Sequence, residues 1–209
     1  DSTCSATRAG ILTGTAPAAR GFRPSGPGIS PEITTTPERL QQLGYATHHI
    51  GKWHLGYRSR LAWPLAQGFD SFYGFLSQFL LRGPHPDNEL VSARPTYINP
   101  WLQVDDEPPL PQQGHLSDLL RDRAVTFLTS VDHKQPWFLN YWMYLPHTPI
   151  QPALRFTQQQ ANTPQGRYLA MLAQLDDTIG VILDALEREG LAQNTVVIIA
   201  SDNGGTNAQ

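Results

Sequence analysis

The densest chemistry in the chain lies at its start, in Cys4-Ser5-Ala6-Thr7-Arg8-Ala9-Gly10-Ile11-Leu12-Thr13-Gly14. Cys4 is the only cysteine among 209 residues, and Arg8 follows four positions later. Ser2 and Thr3 carry the side-chain oxygens that cap helix starts. A helix beginning here sets Cys4 and Arg8 one turn apart on one face. It also aims free backbone N–H groups and the positive end of its dipole at whatever binds there. A sulfur nucleophile, a guanidinium and a helix start together suit a tetrahedral oxyanion. Alone, however, a single cysteine is ordinarily a small buried hydrophobe, and Cys-x-x-x-Arg does not decide between the two. Cysteine-dependent phosphatase chemistry fits poorly, because an offset of four is too short for a loop that wraps the anion before reaching its arginine.

Three further clusters carry polar groups of catalytic type. In Gly51-Lys52-Trp53-His54-Leu55-Gly56, a lysine and a histidine two apart in an extended segment point the same way. One can neutralise an oxyanion while the other moves protons; a solvated loop around a buried tryptophan is the plain alternative. In Tyr144-Leu145-Pro146-His147-Thr148-Pro149, a histidine between prolines suits a positioned acid or base, or a structural turn. In Ser201-Asp202-Asn203-Gly204-Gly205, Asp202 and Asn203 offer hard oxygens for Ca²⁺ or Mg²⁺, although Asp, Asn and Gly are equally ordinary turn residues.

Two of these stretches resemble the signatures of the sulfatase family. Cys4, Ala6, Arg8, Leu12, Thr13 and Gly14 match Cys-x-(Pro/Ala)-x-Arg followed by Leu-Thr-Gly, and Gly-Lys-Trp-His-Leu-Gly is intact at 51–56. The resemblance implies that Cys4 is oxidised to formylglycine by a maturation enzyme. It implies a sulfuric ester hydrolase that cleaves sulfate monoesters of small molecules or glycans, with Cys4, Arg8, Lys52, His54 and His147 as the catalytic set. A Ca²⁺ ion, or Mg²⁺, would be held by Asp202, Asn203 and the modified Cys4. The hydrated aldehyde would attack sulfur in line, with His147 protonating the departing alcohol. His54 would then take the proton whose loss expels sulfate, while Lys52 and Arg8 neutralise the sulfate oxygens.

The resemblance also implies export to the periplasm, the extracellular space or the lysosome. A phosphoester or phosphonate monoester hydrolase of the same superfamily, or a non-catalytic relative that binds sulfated glycans, remains open. The family's upstream acidic pair, its downstream lysine and its C-terminal subdomain have no counterpart here. Asp105-Asp106 is a poor substitute for the pair, lying after the cysteine in a proline-rich stretch. Residues 1–209 are therefore expected to be part of one catalytic domain, cut at both ends.

The elements that must position these residues alternate between helix and strand. Thr36-Pro37-Glu38 opens a helix that Gly44 ends. Tyr45 to Ile50 favours a strand. Residues 57 to 113 read as loop and insertion, with one strand candidate at Tyr97 to Val104. The spacing of apolar residues predicts helices over Leu116 to Val131 and Pro164 to Glu189. On the second, Leu169, Leu172, Leu175, Ile179, Ile182, Leu183 and Leu186 are expected on the buried side.

Trp137 to Tyr144 predicts an aromatic strand, and Thr195 to Ala200 a strand buried on both faces. The fold class expected is α/β, a largely parallel central sheet flanked by helices, of the alkaline-phosphatase and sulfatase kind. Ligands in such sheets sit beyond the carboxyl ends of the strands, where three of the clusters fall. With 15 Lys and Arg against 18 Asp and Glu, the net charge of −3 gives no basic nucleic-acid footprint. No apolar run reaches the roughly 18 residues of a membrane span. Ser77 and His115 lie near enough in sequence to reach the site, but nothing assigns either a role.

Overall fold

A computed structural model describes residues 4–16, 28–77, 96–158 and 160–204. Its five strands are β1 (Ala46–Lys52), β2 (Ser71–Phe75), β3 (Trp101–Val104), β4 (Leu110–Pro111) and β5 (Trp137–Trp142). They form one sheet in the order β4-β3-β2-β1-β5. β1 runs parallel to both β2 and β5, while β3 and β4 add antiparallel. The sheet is thus mixed, with a parallel centre of three strands, and two of the expected polar clusters follow β1 and β5.

β1 is central because its residues bury on both faces, and alternation sends its neighbours to opposite sides. Ile50 joins a core with Phe75, Tyr97, Leu120, Tyr144 and Met171. On the other face, Trp53, Phe69 and Phe72 pack with Ala9 and Leu12. The first core is covered by α3 (Leu116–Ser130) and α5 (Pro164–Arg188), the second by α1 (Cys4–Thr13). The sheet is therefore sandwiched between helices. None of the described helices is long and apolar enough to cross a membrane.

The helix starts follow the sequence signals closely. α2 (Thr36–Gln42) has Thr35 and Glu38 in a reciprocal capping box with proline in the first turn. Thr163 caps α5 through the N–H of Gly166. α3 begins where expected, but its cap is His115, whose side chain accepts from Ser117 N. α1 starts at Cys4 as expected, whereas its proposed caps, Ser2 and Thr3, lie outside the described residues.

Four expectations need correction. β2 lies in the stretch taken as loop; its Phe-x-Gly-Phe pattern is short and bounded by turns, so periodicity alone does not separate it. The strand expected from Tyr97 begins only at Trp101, since Pro100 offers no N–H to a ladder. On α5, Leu169, Leu172 and Leu183 are exposed, while Ala170, Met171, Gln174, Thr178, Ala185 and Leu186 are buried. Small residues there allow close approach, and Gln174 is satisfied by Ala153 N and His115 Nδ1. Finally, Thr195 to Ala200 is not a strand: Val196 is 88% and Ile198 85% exposed. β-branched residues favour a strand only where a partner supplies the ladder, and no described strand pairs with this run.

Candidate active site

The carboxyl ends of β1 and β5, the first turn of α1 and the residues around Asp202 converge on one place. Cys4 stands half-buried in the first turn of α1, and Arg8 one turn on is buried beneath it. The guanidinium of Arg8 is held on three sides. Its Nε and Nη2 donate to Asp202 Oδ2 at 3.1 and 2.9 Å, and Nη1 donates to the carbonyl of Lys52 at 2.9 Å. Its flat face lies 4.7 Å from the centre of the Trp142 ring. Burial pulls the Arg8 pKa down and the charge of Asp202 pulls it back, so the cation stays charged through a fixed ion pair.

Lys52 ends β1 and is buried. Desolvation first, then the positive field of Arg8, lower its pKa to about 8. Cys4 and Asp202 oppose that shift, and the ammonium hydrogen-bonds the Cys4 side chain. Its Nζ also lies 5.5 Å over the Tyr144 ring.

His54 does not reach the site by the alternation expected from the sequence. The strand stops at Lys52, and His54 takes a left-handed conformation with φ 61°. Trp53 N and His54 N donate to the carbonyls of Phe75 and Leu76. The ladder with β2 thus extends past the strand and fixes the turn. Trp53, fully buried, anchors the loop through its Nε1–H to the carbonyl of Ala62 at 2.8 Å. His54 Nδ1 is buried without a hydrogen-bond partner among the described residues. Burial, with the charges of Lys52, Arg8 and His147, pushes its pKa down to about 3, so the ring is neutral.

His147 follows β5 on the loop bounded by Pro146 and Pro149. Its Nδ1 lies 2.8 Å from the carbonyl of Thr148. A carbonyl only accepts, so Nδ1 carries the hydrogen. The ring stacks on Tyr144 with centroids 4.6 Å apart and planes 19° from parallel. Burial lowers its pKa, the Thr148 carbonyl raises it and Lys52 lowers it again.

The set Cys4, Arg8, Lys52, His54, His147 and Asp202 is thus one cluster. Asp202 spends one carboxylate oxygen on Arg8, and Asn203 keeps a buried Oδ1 with no partner among the described residues. A hard-oxygen donor left unsatisfied beside a carboxylate is the right chemistry for part of a Ca²⁺ or Mg²⁺ shell. Among the described residues, however, no three His, Cys, Asp or Glu side chains gather closely enough to hold a cation.

Two members of the cluster escape sequence reasoning, Trp142 under Arg8 and Tyr144 between Lys52 and His147. Both belong to the aromatic-rich run from Trp137 to Tyr144, where rings fall on both faces and the run itself does not tell which of them face the site. His115, by contrast, bonds the carbonyl of Gln151 and Gln174 and caps α3, a structural role.

A sequence model for the family described as Sulfatase matches residues 1–207. Mouse N-acetylgalactosamine-6-sulfatase is 31% identical over 221 residues, spanning 96% of this chain and 41% of that protein. Mouse arylsulfatase J is 32% identical over 190 residues, covering 88% of this chain and 31% of its own length. The chain thus spans well under half of these relatives. The crystal structure of Ps i-CgsB in complex with k-i-k-neocarrahexaose superposes with a TM-score of 0.74 at 23% identity. That match covers 90% of this chain and 45% of the other, and it shows the shared fold.

Proposed function

The chain belongs to the sulfatase family, and from that premise we propose that the protein hydrolyses sulfate monoesters at the cluster around Cys4. The observation that carries this reading is electrostatic. Two buried cations, Arg8 and Lys52, stand beside the carboxylate of Asp202, and burial first, then the positive charge of Lys52 and Arg8, holds His54 and His147 towards neutrality. Such a site is completed by an anion with several oxygens. A sulfate monoester placed there adds negative charge and raises the proton affinity of His54 and His147 together.

Each residue then has a role its position supports. Lys52, aimed at Cys4, neutralises the oxyanion beside the reacting group. Arg8 adds charge and locks Asp202 and the end of β1 in register with it. His147, with its Nδ1–H tied to Thr148, takes up a second proton at Nε2 once the bound ester has raised its proton affinity, and passes that proton to the departing alcohol oxygen. His54, neutral and with Nδ1 unpaired, accepts the proton released at position 4. Formylglycine in place of Cys4 would supply the hydroxyl nucleophile as its hydrate, and a divalent cation on Asp202 and Asn203 would acidify it.

A sulfated sugar is the substrate class this reading favours, on the strength of the names of the relatives, and export from the cytoplasm accompanies it. A maturation enzyme is the partner it requires.

The decisive test is the mass of the tryptic peptide ending at Arg8, taken from the full-length protein made in its native host. It is paired with turnover of an aryl sulfate and the matching aryl phosphate. Aldehyde in place of thiol, with turnover of the sulfate, is the expected result. Faster phosphate turnover would reassign the enzyme within its superfamily, and an intact thiol without turnover would make it a binding relative. Cys4→Ala is expected to abolish turnover and leave the fold unchanged.

A further inference from the structure

We infer that the hydroxyl of Tyr97 is a positioning group for His147, so that a residue outside the cluster sets the delivery of the leaving-group proton. The inference of a catalytic consequence rests on the function proposed above; the positioning itself rests on geometry alone.

Tyr97 is fully buried. Its single Oη–H is shared between the carbonyl of His147 at 2.8 Å and that of Tyr144 at 3.0 Å. One hydroxyl thus clamps both ends of the turn from Tyr144 to His147, whose own closure is the His147 N–H to the Tyr144 carbonyl at 2.9 Å. The Tyr97 ring also packs on Tyr144, with centroids 5.1 Å apart, and Tyr144 is the ring on which the His147 imidazole stacks. Backbone and side chain of His147 are therefore both referred to the same tyrosine.

Tyr97 is itself immobilised from outside the site. Its N–H donates to Gln151 Oε1 at 2.9 Å, its carbonyl accepts from Leu116 N at the start of α3, and its ring stacks on His115. His115 in turn contacts the carbonyl of Gln151 at 2.9 Å. The loop that carries His147 is thus bolted to the helix layer through Tyr97, rather than merely trailing from the end of β5. A proton donor is effective only when held within hydrogen-bond reach of its acceptor, and small misplacements cost heavily.

The test is Tyr97→Phe in the full-length protein, which keeps the ring and removes the clamp. With histidine Cε1 labelled with ¹³C, the His147 resonance is expected to shift or broaden while that of His54 holds still; an unmoved His147 would overturn the positioning whatever the protein catalyses. In the turnover assay, kcat for aryl sulfates with poor leaving groups is expected to fall by about tenfold or more. Strongly activated esters, which need no acid, should stay within about twofold. In a His147→Ala background, Tyr97→Phe should cost nothing further. Equal losses for all leaving groups, or additive losses in the double variant, would show a merely structural tyrosine. Gln151→Met, which frees the Tyr97 backbone without touching its hydroxyl, is the second variant should Tyr97→Phe not fold, and the same pattern in weaker form is expected. Absence of turnover in the wild type would remove the functional reading and leave the resonance of His147 to decide the positioning.

Discussion

At the scale of single residues, the site is governed by how each charge is held rather than by which charges are present. Arg8 makes the case. Its fork reaches Asp202 through two nitrogens and the Lys52 carbonyl through a third, with Trp142 across its face. A lysine at this position keeps the charge but has neither the fork nor the flat surface. Arg8→Lys in the full-length protein should therefore lower kcat/KM by about a hundredfold or more, the scale of losing a fixed electrostatic partner. Steady-state kinetics on an aryl sulfate measures this, and a loss below about threefold would mean that charge alone suffices. The sequence disclosed Arg8 and Lys52 through their motifs, because motif residues are tied to each other at fixed spacing. It could not disclose Trp142 or Tyr97, whose roles depend on which of many aromatic faces the fold turns towards a charge or a carbonyl.

At the scale of elements, the parallel centre of the sheet needs close strand contact where β1 meets both neighbours. Gly51 pairs with Gly74 on one side and Trp142 on the other. A Cβ added to Gly51 would fall 1.9 Å from the Trp142 carbonyl, at a φ of +113° that L side chains rarely adopt. Gly51→Ala is expected to lose about 3 kcal/mol or more and to displace Lys52 next to it. Gly44, at φ +85° with open space around it, isolates the backbone contribution. Its alanine variant should lose only about 1 kcal/mol. Urea unfolding of the two variants measures the difference, and near-equal losses would show that β1 and β5 separate readily.

The same scale shows why some elements were legible and others not. α2, α3 and α5 announce themselves by caps and apolar spacing, signals contained in a dozen neighbouring residues. Whether Thr195 to Ala200 pairs, or which face of α5 is covered, depends on distant partners that no local pattern encodes. Gln174 is the clearest instance: a polar residue takes a core position because Ala153 N and His115 meet it there.

At the scale of the whole molecule, the described residues include a fully buried histidine outside the catalytic set, and this gives stability a pH dependence. His49 has no exposure and is ringed by Trp53, Phe69, Phe72 and Trp142, with its Nδ1 2.9 Å from the Asn140 amide nitrogen. That nitrogen donates, so Nδ1 accepts and the ring is neutral. Burial, reinforced by the charge of Arg8, pushes the His49 pKa down to about 3. The unfolded chain protonates the same residue near 6.5. Between those values only the unfolded state takes up the proton, so stability falls as pH drops from about 6.5 towards 3 and is insensitive to His49 above that window. From pH 7 to pH 5 the loss from this residue is about 2 kcal/mol, with His54 adding in the same direction. His49→Gln keeps an amide oxygen for Asn140 but cannot titrate. It should lower stability at pH 7 through poorer packing against four rings, and yet flatten the acid limb of urea midpoint against pH. An acid limb as steep in His49→Gln as in the wild type would place the sensitivity elsewhere, in His54 or in the carboxylates that pair with Arg8, Arg121 and Arg155.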